Sequence, residues 1–353
     1  MKIRNLFLSL LIIGLSWSCS NDDDNEEIQE PVGDYANGIL VSNEGPFSNG
    51  SGTVSFISED LSVVNNGIFK ITNDEDLGNV VQSIGFSEEE AFIVANVSNK
   101  INVVNRYTFE KIASITDGLN NPRYFITANG KGYVTNWGDT ADDSDDFVAI
   151  INLQNYTVEG TISVVLGPEA ILAKDDMVYV AHQGAWGQNN KVSVINTTSN
   201  EVLKTLTVGD VPNSMQLDAS GNLWVLASGK PAYTEDETAG VLSKINTSTN
   251  EVDAIFEFEI TEHPGKLNID GSSIYYYLEG SVYKQSLSST TLNMESALDD
   301  VSFYTMVVNN GRLYGTDAGD YASNGTLAVY DLNTKLATET LTVGIIPGGI
   351  YFN

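Results

Sequence analysis

Five large aromatic residues, Phe47, Trp137, Trp186, Tyr233 and Tyr321, each stand in a segment otherwise rich in glycine and polar residues. Rings presented from loops could stack on a flat or amphipathic ligand. Each could equally pack its own loop onto the scaffold. Asn43, Asn96, Asn136 and His182 end strand-like runs such as Tyr133-Val134-Thr135-Asn136. Their side chains suit ligand amides and hydroxyls, or the capping of their own strand's backbone. Arg123 follows Pro122 at the start of another such run. It could hold a phosphate or carboxylate of a ligand, or pair with a neighbouring aspartate.

Catalytic chemistry finds less material. Only two histidines exist, His182 and His263, which excludes a multi-histidine transition-metal centre. Cys19 is the single cysteine, and there is no Gly-x-Ser-x-Gly elbow or phosphate-binding glycine loop. Asp139, Asp142, Asp143, Asp145 and Asp146 lack the spacing and glycine of a calcium loop and read as a solvated acidic tip. No cofactor or resident metal is expected. Carboxylates are too abundant to assign an acid–base pair, so a lyase or hydrolase stays open beside the binding reading. The formal net charge of −30 disfavours nucleic acid as a partner and broad adhesion to anionic lipid.

These residues need elements to position them, and self-similarity supplies those elements. A second-strand motif recurs at Gly38–Asn43, Ala91–Asn96, Gly132–Asn136, Met177–His182, Asn222–Leu226, Ser273–Tyr277 and Arg312–Thr316. Its spacing is that of propeller blades. Third strands follow at Thr53–Ile57, Lys100–Val104, Phe147–Ile151 and Lys191–Ile195. β-Branched residues and alternation fit strands, and no long segment carries a 3.6-residue apolar period. The predicted fold is all-β: a seven-bladed β-propeller of four-stranded antiparallel blades. A misread first or sixth unit would make it six or eight. The chain starts at a second strand, so Pro347–Asn353, which matches the first-strand segments, should complete blade one and close the ring. Loops between second and third strands are long, as in 43–52, 136–146, 182–190, 228–240 and 317–325, whereas 129–131, 218–221 and 270–272 are tight turns. One face is therefore expected to be elaborated for function.

The N-terminus has a basic start, Lys2 and Arg4, and an apolar run from Leu6 to Leu15 ending at Ser16-Trp17-Ser18-Cys19. It resembles a bacterial lipoprotein signal, with residues 1–18 removed and Cys19 lipidated. An ordinary signal peptide with an incidental cysteine is the alternative. Residues 19–36 read as an acidic, solvated tether, and 37–353 as the propeller. Tyr133-Val134-Thr135-Asn136 resembles the YVTN-type propeller repeat, and 191–212 is its cleanest copy. With Asn43-Glu44-Gly45, Asn96-Val97-Ser98-Asn99 and Asn121-Pro122-Arg123-Tyr124, the chain is similar to lipoprotein propellers that capture cobalamin at the outer membrane. That resemblance implies a lipid-anchored protein of the outer membrane, exposed at the cell surface. It would bind a small-molecule nutrient, cobalamin or a related corrinoid, and deliver it to a TonB-dependent outer-membrane receptor. A protein- or glycan-binding adhesion module is the rival reading.

Overall fold

The computed structural model describes residues 32–47 and 50–353. The expected signal peptide over 1–18, Cys19 and the acidic stretch to residue 31 lie outside the described residues. Seven four-stranded antiparallel sheets follow one another along the chain. From the axis outward, blade 1 is Pro347–Phe352, Gly38–Asn43, Thr53–Ser58 and Val64–Asn66. The innermost strands of blades 2 to 7 are Val81–Phe86, Pro122–Ala128, Pro168–Lys174, Pro212–Leu217, Gly265–Asp270 and Met306–Asn309. The ring closes as the sequence predicts: Ile39 pairs with Phe352 and Val41 with Ile350.

Burial follows from this layering. Second strands such as Met177–His182 are covered on both faces by neighbouring blades and are almost continuously buried. Outermost strands such as Glu201–Thr207 wet one face and alternate strictly. The apolar cores lie between blades: Phe92 of blade 2 stacks on Phe125 of blade 3 with centroids 4.1 Å apart. The Tyr133 hydroxyl donates to Asn200 Oδ1 of blade 4 at 3.0 Å, and the Tyr179 hydroxyl to Asn250 Oδ1 of blade 5 at 2.6 Å. Both asparagines hold left-handed backbone at the end of Asn-Thr-x-x-Asn turns, so the repeated turn and the repeated tyrosine form one inter-blade tie.

One boundary is corrected. The tether does not extend to residue 36, because Tyr35 and Ala36 are buried. Tyr35 packs edge-on against Phe56 and Phe109, and its N–H donates to Tyr107 O at 2.9 Å. An aromatic ring at that place has more to gain from the core than from water.

Candidate functional site

Six inner strands share a local irregularity. Register slips just after the strand's first paired residue, leaving Gly348, Gln82, Arg123, Glu169, Asn213 and Lys266 without a partner of their own. Such a bulge re-aims a side chain out of the ladder. These residues, with Tyr304 ahead of blade 7's inner strand, ring the mouth of the central channel. The face is the one reached by the loops between second and third strands.

Two cavities open there and share Tyr124, Tyr304 and Thr305. The first, about 480 Å³, is lined by Phe47, Asn96, Arg123, Trp137 and Trp186 together with Glu44, Gln82, Asn121, Tyr124 and Tyr304. Residues far apart in the chain, from blades 1, 2, 3, 4 and 7, thus meet at one opening. Trp137 and Trp186 approach edge-on with centroids 6.2 Å apart. The Trp137 indole N–H donates to Pro168 O at 3.0 Å, which fixes its plane, while Trp186 is 78% exposed. The Arg123 guanidinium lies 3.9 Å from the Trp137 ring centroid.

Arg123 is not free for a ligand anion. Its Nε and Nη2 donate to Glu169 Oε2 and Oε1 at 2.9 and 2.7 Å, a two-pronged pair with side chains 13% and 8% exposed. The sequence had offered an aspartate as the alternative partner; a glutamate one blade onward takes that place. Glu44, opposite, accepts the Tyr304 hydroxyl at 2.8 Å. Burial pushes its carboxyl above the ordinary range, against that hydrogen bond and the Arg123 charge.

Three predicted residues are sealed inside their blades and do not reach the mouth. Asn43 and Asn136 are fully buried: Asn43 Nδ2 donates to Ser55 Oγ at 3.0 Å, and Asn136 Nδ2 to Val134 O at 2.9 Å. Asn136 Oδ1 also accepts the Asn120 N–H at 3.0 Å. His182 is fully buried beside Ser193 Oγ, 2.8 Å from Nε2, and burial pushes its pKa down to about 4. Asn96 differs because it lies one position beyond its strand, in register with Trp137 rather than Asn136. That offset turns it outward, with Nδ2 donating to Pro122 O at 3.1 Å.

Tyr321 stands edge-on to Tyr304, centroids 5.9 Å apart, at the rim. Tyr233 is 85% exposed on a separate loop and lines neither cavity. The acidic tip folds on itself: Asp145 Oδ2 accepts the Asp139 N–H at 2.8 Å and Asp142 Oδ1 that of Ser144 at 3.0 Å. Asp146 is buried and accepts the Gly167 N–H, and burial raises its pKa to about 6. Among the described residues no group of three or more His, Cys, Asp or Glu side chains is placed to hold a metal ion.

Sequence reasoning missed Glu44, Gln82, Glu169, Asn213, Lys266 and Tyr304. A usable signal existed for two of them: like Arg123, Glu169 and Asn213 directly follow an inner-strand proline. A recess of about 800 Å³ on the opposite face, between blades 1 and 7, gathers Glu59, Asp60, Asn309 and Arg312 but no cluster of loop aromatics.

Comparison with solved structures shows the same fold in proteins of unlike roles. A putative 6-phosphogluconolactonase from Bacteroides uniformis aligns with a TM-score of 0.64 at 10% identity, covering 90% of this chain and 99% of that one. BamB from Moraxella catarrhalis gives 0.53 at 14% identity, covering 92% and 90%. Kuenenia stuttgartiensis hydrazine synthase gives 0.55 at 15% identity, covering 76% and 91%. At such identities the likeness shows the fold alone. No curated protein matches the sequence. With its propeller fold suited to ligand or protein binding, the chain belongs to the family described as domain of unknown function DUF5074, whose model matches residues 37–317.

Proposed function

We propose that this propeller is a capture protein, holding a flat amphipathic nutrient at the channel mouth rather than transforming it. The observation that carries this reading is the convergence of Phe47, Trp137, Trp186 and Tyr304 from distant blades on one cavity. A corrinoid presents a broad apolar ring system edged with amides. Trp137 and Trp186 offer surfaces for the ring, and Asn96, Asn121 and Gln82 offer partners for the amides. Lipid attachment through Cys19 at the outer membrane, facing outward, would place the mouth where a TonB-dependent receptor could take the ligand. Binding without turnover is supported by the state of the titratable groups: Arg123 and Glu169 neutralise each other, and His182 is sealed inside its blade.

Tryptophan-fluorescence titration of the purified protein with cyanocobalamin tests the ligand. Quenching with a dissociation constant in the micromolar range or below is expected, and Trp186→Ala or Trp137→Ala should weaken it at least about tenfold. No affinity at high micromolar concentration would sink the corrinoid assignment. A second reading, docking of a polypeptide or glycan, draws on the exposure of Phe47, Trp186 and Tyr233. It requires Trp186→Ala to weaken capture of a macromolecular partner while small-molecule binding stays absent.

A further inference from the structure

The second cavity at the mouth, about 560 Å³, differs in character from the aromatic one. Its wall includes Lys266, with Asn213, Gln216, Tyr124 and Tyr277 around it, and one carboxylate residue, Glu279, which forms no ion pair with Lys266. Lys266 is the bulge residue of blade 6, with left-handed backbone at φ 58°. Its Nζ lies 4.8 Å from the Tyr277 ring centroid. Among the described residues no carboxylate pairs with it, and burial pushes its amine below the ordinary lysine range.

This is unusual in its setting. The chain carries 47 acidic against 17 basic Lys and Arg residues, so a half-buried cation has no shortage of carboxylates to pair with. At the same mouth Arg123 takes Glu169 as its partner. Lys266 also sits where the elaborated face is lowest, since the turn between the second and third strands of blade 6 is only Glu279-Gly280. An ammonium held in a recess without a paired carboxylate, beside the Gln216 amide and open to solvent, is suited to anion recognition.

We propose that Lys266 binds the anionic group, a phosphate or carboxylate, of the molecule whose apolar part lies against Trp137 and Trp186. The proposal rests on the reading of the mouth as a ligand site and narrows its ligand to amphipathic anions. Because Tyr124, Tyr304 and Thr305 border both cavities, one molecule of nutrient size can span them. Asn213 is tied by Nδ2 to Pro264 O at 3.0 Å, which braces the segment that carries Lys266.

Amine labelling with acetic anhydride, read by mass spectrometry, tests the proposal with inorganic phosphate as the probe. Phosphate at about 50 mM, against chloride of equal ionic strength, should slow acetylation of Lys266 about fivefold or more. Exposed Lys335 should be unaffected. Equal labelling of Lys266 in phosphate and chloride would overturn the anion site. Cyanocobalamin titration separates this from the corrinoid reading. Protection by phosphate without cobalamin binding leaves the anion site standing and removes the corrinoid; cobalamin binding without phosphate protection does the reverse.

Discussion

At the residue scale, burial decides which polar side chains face the mouth and which serve the fold. Arg123 and Glu169 neutralise one another beneath the Trp137 ring. Glu169→Ala would strand the guanidinium, at a cost of about 3–5 kcal/mol in urea unfolding, whereas the double replacement Arg123→Met with Glu169→Met should restore most of it. A single-variant loss below about 1 kcal/mol would mean that water already screens the pair. Asp146 and His182 tilt the pH dependence in opposite directions. Asp146, raised by burial from 3.8 to about 6, favours the native state at low pH and loses that contribution as pH rises through 6. His182, lowered by burial from 6.5 to about 4, contributes above pH 6.5 and loses its contribution as pH falls towards 4. Asp146→Asn should therefore gain on the wild type between pH 4 and 6, by the order of 2–3 kcal/mol. The penalty of His182→Gln should be largest near neutrality and shrink towards pH 4. Parallel stability profiles for variants and wild type would contradict both assignments.

At the element scale, the starts of six inner strands shape the mouth. The blades were legible because second and third strands repeat their β-branched pattern, and the loop aromatics because large rings stand out among glycines. The bulge was not legible. A proline marks where an inner strand begins, but nothing in the local sequence says that the next side chain leaves the ladder. The same limit explains the asparagines. Asn96 and Asn136 look alike as strand-ending residues, yet a one-residue difference in register turns the first to the cavity and the second into the blade. Asn136→Ala is accordingly expected to cost about 1–3 kcal/mol of stability with ligand affinity of the folded protein unchanged. Asn96→Ala should weaken cyanocobalamin binding about threefold or more, as seen by titration. The reverse pattern would mean that the register has been misassigned to function.

At the scale of the whole molecule, the ring makes a site from loops that share no local sequence. Closure depends on the last strand: Ile350 is buried with Val41 of blade 1 and with Val343 and Tyr314 of blade 7. The Tyr351 hydroxyl accepts the Ile84 N–H of blade 2 at 3.0 Å. Ile350→Ala should cost about 2–4 kcal/mol by urea unfolding, because the cavity it leaves lies at the seam between two blades. A loss under about 1 kcal/mol would show that the closing strand contributes little. The most direct measurement compares cyanocobalamin affinity in Phe47→Ala of blade 1, Trp186→Ala of blade 4 and the double variant. Expected is a clear loss for each single change, together with folding unaltered by circular dichroism. Affinity that ignores both rings, or no affinity in the unaltered protein, would contradict a common binding mouth for this nutrient.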